Sequence, residues 1–276
     1  MGVEERLWFP VRDATNLGVS LSGLGYQPHG PSKGNILFLQ GISSDVNDCS
    51  HFLRELGEEY TVISFNYLGH ENPGVLDAAD APRHAIAIRE KFFDREPVIL
   101  MGHSMGATIA TAAIEQTQPQ AIVLLAPLIN KNYTRRSIER FISFVHVHPH
   151  LARAGDNILE RWPIQKKVVP HLNNPLRAYA SLGSIDMLAY TINTPAFYAM
   201  PDRDELFGVT PENIATHEAA VRQAYLLAES GNELVRGWNH CLNLKHLDLV
   251  PFFKEEPNKD RKPFLDALFK FLDAHR

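Results

Sequence analysis

Four short, unbroken apolar runs mark the first half of the chain: Asn35 to Gln40, Thr61 to Phe65, Pro97 to Met101 and Gln120 to Leu125. Each has the length of a strand and lacks apolar-polar alternation, so each needs cover on both faces. Segments with apolar residues at helical spacing lie between or after them, at Asn47 to Glu58, Ala81 to Phe93 and Met105 to Gln116. That alternation predicts an α/β architecture, a mostly parallel sheet with helices on both faces. Leu7 to Val11 and Leu17 to Leu21 read as an antiparallel hairpin, and Pro195 to Met200 and Glu233 to Val235 as two late strands, for about eight strands in all. Pro211 to Glu229 and Pro263 to Ala274 add two late helices.

One region breaks this rhythm. From Leu128 to about Asn174 strand signals stop, and Ile138, Phe141, Ile142, Phe144, Leu151, Ile158, Leu159 and Trp162 are mixed with Arg and Lys. It reads as a helical cap, residues 128–174, inserted into a core built from residues 1–127 and 175–276. No internal repeat or flexible linker separates the two, so cap and core are expected to share an interface.

Composition narrows the class of partner. With 45% hydrophobic residues among 276, the chain can bury a sizeable core. The 27 Lys plus Arg against 32 Asp plus Glu give a net charge of -5, which supplies no electrostatic reason to bind nucleic acid or an anionic membrane. Met1 to Pro10 carries Glu4, Glu5 and Arg6 and no signal-like apolar run, and Gly2 has no Ser or Thr at position 6 to complete a myristoylation signal. No apolar stretch is long enough to span a bilayer, and two cysteines are too few for a disulfide framework. A soluble, reducing, cytoplasmic setting is the expectation; oligomeric state stays open.

The chemistry is signalled by Gly102-His103-Ser104-Met105-Gly106, which follows the strand ending at Met101 and opens the helix at Met105. A serine on such a strand-to-helix turn is held in a strained conformation that small neighbours permit, so that its hydroxyl projects above the sheet. The helix start beside it presents unpaired N–H groups to developing negative charge.

On this motif and its context the chain resembles the α/β-hydrolase family, and more loosely its monoacylglycerol lipase, lysophospholipase and esterase branch, over nearly its whole length. The resemblance implies a catalytic triad in the order serine, acid, histidine. Pro195 to Asp204 is similar to the family segment in which the acid follows a late strand, which makes Asp204 the acid, with Asp202 as competitor. Gly237-Trp238-Asn239-His240 matches the family's Gly-x-x-His ending, which makes His240 the general base; His246 lies further on in a later apolar segment. The oxyanion hole is implied to combine the N–H of Met105 with that of Ile42, in Leu39-Gln40-Gly41-Ile42-Ser43-Ser44, where Gln40 replaces the family's histidine. Asn66-Tyr67-Leu68-Gly69-His70-Glu71-Asn72 resembles an Asp-x-x-Gly-His-Gly loop with Asn66 and Glu71 as departures, and receives no catalytic role.

Other signals read as ordinary structure. His146, His148 and His150 alternate along a segment that Pro149 marks as loop, so a metal site is not expected. Arg135, Arg136 and Arg140 fit a solvated helix face, and Cys241 a small packed thiol. The expectation is a serine hydrolase acting on a small-molecule acyl substrate through an acyl-enzyme on Ser104, with no cofactor and a carboxylic ester as first choice. Thioester hydrolysis, acyl transfer, and a slow or non-catalytic ligand-binding protein on this fold stay open.

Overall fold

The computed structural model describes residues 2–12, 18–41, 46–68, 81–127, 194–201, 250 and 261–276. Among these residues seven strands form one sheet: β1 (Val3–Arg12), β2 (Gly18–Gln27), β3 (Asn35–Leu39), β4 (Thr61–Phe65), β5 (Val98–His103), β6 (Ala121–Leu125) and β7 (Ala196–Ala199). Their order across the sheet is β1-β2-β4-β3-β5-β6-β7. β1 pairs antiparallel with β2, and β2 antiparallel with β4; every pairing from β4 to β7 is parallel.

The five parallel strands are the continuous apolar runs of the sequence, and β5, β6 and β7 are buried along their whole length. Helices supply the cover that such strands need. Phe52 of α1 (Ser50–Leu56) meets Phe38 edge-on at 5.6 Å between ring centroids, and Phe264 and Phe271 of α4 (Lys262–Ala274) lie 6.3 and 5.5 Å from Phe197. On the opposite face, Phe92 of α2 (Ala81–Phe93) packs on Phe65 at 5.3 Å. α4 buries Phe264, Leu268, Phe271 and Leu272, a single stripe at helical spacing, each contributing about 1.5–3 kcal/mol by removal from water.

α3 (Met105–Thr117) is buried almost all round, and its composition makes that possible. Gly, Ala and Thr let it lie close to the sheet, and the hydroxyls of Thr111 and Thr117 donate to the carbonyls of Ala107 and Ala113 at 2.9 and 2.7 Å. No polar group of those two side chains is therefore buried unsatisfied.

The hairpin extends further than its sequence signal. Pairing runs from Val3↔Gln27 to Arg12↔Gly18, whereas apolarity marks only its turn-proximal half. Ser22, Gly23 and Gly25 conceal the rest of β2, because small and polar residues there carry no strand propensity of their own. α1 is shorter than Asn47 to Glu58: residues 46–49 form a turn and Gly57 closes the helix. The expected strand Glu233 to Val235, the helix Pro211 to Glu229 and the cap at residues 128–174 lie outside the described residues.

Candidate active site

The strand order locates a crevice before any side chain is considered. From β3 the chain crosses to β4 on one side, and then to β5 on the other, so β3 and β5 are neighbours whose connections diverge. In parallel sheets that switch opens a cleft beyond the carboxyl ends of the strands, where ligands bind. Leu39 pairs with Gly102 in the register of β3 and β5, which brings Gln40 and Gly41 beside His103 and Ser104.

Ser104 sits at this point, between the last residue of β5 and the first of α3. Its backbone has φ 53° and ψ -118°, a left-handed conformation costly for any residue with a Cβ. Three backbone hydrogen bonds hold it there. Its N–H donates to the carbonyl of Leu125 at 2.8 Å, and its own carbonyl accepts from Ala107 and Thr108 at 3.1 and 3.4 Å. A serine preceding a helix ordinarily caps it through its side chain, but Ser104 makes no such bond, so its hydroxyl is kept from the helix. The first-turn N–H groups, Met105 first, have no intrahelical carbonyl to bond and carry the positive end of the helix dipole.

The motif glycines are required by close approach, since neither Gly102 nor Gly106 takes a positive φ. A Cβ on Gly102 would fall 2.3 Å from the carbonyl oxygen of Gly106. Gly41 lies against Ser104 itself: a Cβ there would stand 3.3 Å from the Cβ of Ser104 and 3.3 Å from Nδ1 of the buried His103.

A buried polar cluster backs the β3 loop. Gln40 Nε2 donates to the carbonyl of Phe65 at 2.9 Å, and Gln40 Oε1 accepts from the Ser64 hydroxyl at 3.1 Å. The Tyr67 hydroxyl donates to the Gln40 carbonyl at 2.9 Å. Burial, with a smaller contribution from Cys49, pushes the Tyr67 phenol well above its ordinary value, so it stays a neutral donor. The glutamine that replaces the resembled family's histidine is thus satisfied by neutral partners. Sequence reasoning gave Asn66 and Tyr67 no part in the site. The available signal was that positions 40 and 66 both carry amides where the family pattern has ionisable groups.

Of the expected site residues, Ser104 and Met105 are placed as the sequence implied, at the strand-to-helix turn. Ile42, Asp204, His240, Asp202 and the histidines at 146, 148 and 150 lie outside the described residues. β7 runs parallel to β6 and β5, so at Ala199 the chain leading to Asp204 leaves the sheet on the edge where Ser104 stands. Among the described residues no group of three or more His, Cys, Asp or Glu could hold a metal ion, and no helix is long and apolar enough to cross a membrane.

Comparison with known proteins places this architecture. Residues 36–251 match the family described as "Alpha/beta hydrolase family", and the chain belongs to that family. It is 34% identical over 133 residues to a Mycoplasma pneumoniae protein named "Putative esterase/lipase 3", a match covering 44% of this chain and 48% of the relative. The chain therefore spans about half the length of that curated relative. Among solved structures it is similar to one described as "Lipase (Open form)", with TM-score 0.61 and 16% identity over 98% of this chain and 99% of the other. It is also similar to a thermophilic esterase from Thermogutta terrifontis, with TM-score 0.63 and 15% identity over 99% and 100% of the two chains. At those identities the solved structures establish the α/β-hydrolase fold.

Proposed function

We propose that this protein is a serine hydrolase that cleaves a carboxylic ester through an acyl-enzyme on Ser104. The observation that carries the reading is the backbone of Ser104, held at φ 53° at the switch point of the sheet with its hydroxyl withheld from the helix it precedes. A strained conformation maintained by three backbone hydrogen bonds fits a residue whose side chain must be presented at one place. The esterase and lipase names of its relatives support the ester class.

In this mechanism His240 takes the Ser104 proton as the hydroxyl attacks the acyl carbonyl, and Asp204 fixes the imidazole tautomer and stabilises the imidazolium. The N–H groups of Met105 and Ile42 stabilise the tetrahedral oxyanion. His240 then protonates the departing alcohol, and a water deprotonated by His240 releases the acid and regenerates Ser104. The cap at residues 128–174 roofs the pocket and sets acyl-chain preference, each covered methylene adding roughly 0.8 kcal/mol of binding.

A fluorophosphonate probe, followed by mapping of the labelled residue, tests the assignment. Rapid labelling of Ser104 together with hydrolysis of p-nitrophenyl esters is expected; labelling elsewhere, or none, overturns it. Asp204→Asn should cost more in kcat than Asp202→Asn, and the reverse ranking moves the acid to Asp202.

A further inference from the structure

Two hydrogen bonds accepted by the Asn66 carboxamide oxygen reach the two ends of the loop whose amide this mechanism uses. Asn66 follows β4 and is fully buried. Its carboxamide oxygen accepts from the N–H of Val46 at 2.8 Å and from Gln40 Nε2 at 3.3 Å. Its carboxamide nitrogen donates to the Ser22 hydroxyl at 3.0 Å, and its backbone N–H to the Ser22 carbonyl at 2.8 Å. Val46 N–H can only donate, which fixes the orientation of the amide independently of the ambiguous hydroxyl. One oxygen thus ties Gln40 to Val46. Between those two positions lie Gly41, packed against Ser104, and residues 42–45, which include Ile42.

A main-chain donor stabilises an oxyanion only if it is already aimed when charge develops, because a donor that must first be ordered gives back much of its gain. We infer that Asn66 is a positioning residue for the oxyanion loop, its carboxamide oxygen holding both ends of the segment that carries the Ile42 N–H. The inference rests on the proposed acyl-enzyme mechanism. Gln40 is the intermediate element of this clamp, and the Tyr67 hydroxyl fixes the carbonyl from which the loop departs.

Two substitutions at one position separate positioning from packing. Asn66→Leu keeps the forked four-atom outline of the side chain and removes every side-chain hydrogen bond, whereas Asn66→Asp keeps an acceptor oxygen toward Val46 and Gln40 but places an acid in the core. If Asn66 only fills space, Leu is the milder change. If it clamps the loop, Asp is. For p-nitrophenyl acetate, Asn66→Leu is expected to lower kcat by about 10- to 100-fold, below or at the loss from deleting an oxyanion donor, with KM within about twofold. Asn66→Asp should retain kcat to within about fivefold.

Amide hydrogen exchange over residues 41–46, which needs no activity, should quicken in Asn66→Leu and stay near wild type in Asn66→Asp. Tyr67→Phe removes one hydroxyl and should reproduce a small version of the Leu effect, which keeps the test open if Asn66→Leu does not fold. An active wild type whose Leu variant keeps its kcat, loses no more than the Asp variant, or shows unchanged exchange at 41–46 overturns the inference alone. With Tyr67→Phe as the only folded variant, unchanged kcat and exchange overturn it equally. A wild type that neither hydrolyses the ester nor takes the fluorophosphonate label overturns the functional reading, and the positioning role with it.

Discussion

Gly106 lies so close to Leu39 that a Cβ on it would fall 1.9 Å from the Leu39 carbonyl oxygen. The first turn of α3 therefore rests directly on the backbone at the end of β3, and this contact sets the distance between Ser104 and the β3 loop. A methyl group there has no side chain to displace, because the obstructing atoms are main chain. Gly41 differs, since its obstructing atoms, at 3.3 Å, need yield only a few tenths of an ångström.

Those two distances predict opposite phenotypes. Gly106→Ala should lose about 3 kcal/mol or more of stability, because α3 must move away from the sheet. Gly41→Ala should fold with nearly wild-type stability and lose about tenfold in kcat, since the atom it presses on is the Ser104 Cβ and small misplacements of a reacting group are costly. Urea melts and ester kinetics on the two variants check this; a destabilised but active Gly41→Ala would contradict it.

Ser104 allows strain and chemistry to be separated. Ser104→Ala and Ser104→Gly should both lower turnover by about 10⁴- to 10⁶-fold. They should differ in stability, because alanine keeps the Cβ that makes φ 53° costly and glycine does not. Thermal melts are expected to place Ser104→Gly about 1 kcal/mol above Ser104→Ala. Equal stabilities would mean that the turn carries no strain at this residue.

Much of this arrangement is legible in the sequence, and the illegible part has a physical pattern. α2 runs from Ala81 to Phe93, as its apolar spacing implies, and the Ser104 elbow is signalled by five contiguous residues between a strand and a helix. Local periodicity suffices for both. The clamp at Asn66 is not legible, because its members come from β2, the end of β3, residue 46 and the end of β4, and their association depends on strand order. The distal half of β2 is hidden for a related reason: Gly23 and Gly25 lie within its pairing with β1 and β4 and carry no signal of their own.

Asp273, near the end of α4, links that helix to the amino end of the sheet. It accepts from the Tyr60 hydroxyl at 2.9 Å and pairs with Lys33 at 3.1 Å. Burial pushes its carboxyl upward, but the hydrogen bonds from Lys33 and Tyr60 outweigh that effect and hold it below the ordinary 3.8. A folded pKa below the unfolded one means that protonation favours unfolding. The contribution is therefore present above pH 3.8 and lost as pH falls through the lower folded value. Asp273→Asn should lower Tm at neutral pH, modestly because the pair is exposed, and the gap from wild type should close in acid. A gap that persists in strong acid would assign the effect to packing instead.

Arg261 joins the amino end of α4 to α1, and it is the largest of the fully buried side chains among the described residues. Its guanidinium donates to Glu55 Oε2 at 2.9 Å and lies 5.2 Å from the centre of the Phe52 ring. The two partners are unequally buried, with side chains 1% and 28% exposed for Arg261 and Glu55. Removing the arginine leaves a carboxylate that water can still reach, whereas removing the carboxylate leaves a buried cation with one fewer partner. Breaking a buried pair by deleting one member typically costs about 3–5 kcal/mol. Glu55→Ala should approach that range, through charge alone. Arg261→Met should cost less electrostatically, because its chain still packs on Phe52 and the remaining carboxylate is hydrated. Urea unfolding of the two single variants and the double variant measures the ranking. If Arg261→Met proves the more damaging and the double variant is no better than additive, the ion pair is not what joins α4 to α1, and stacking of the guanidinium on Phe52 takes its place.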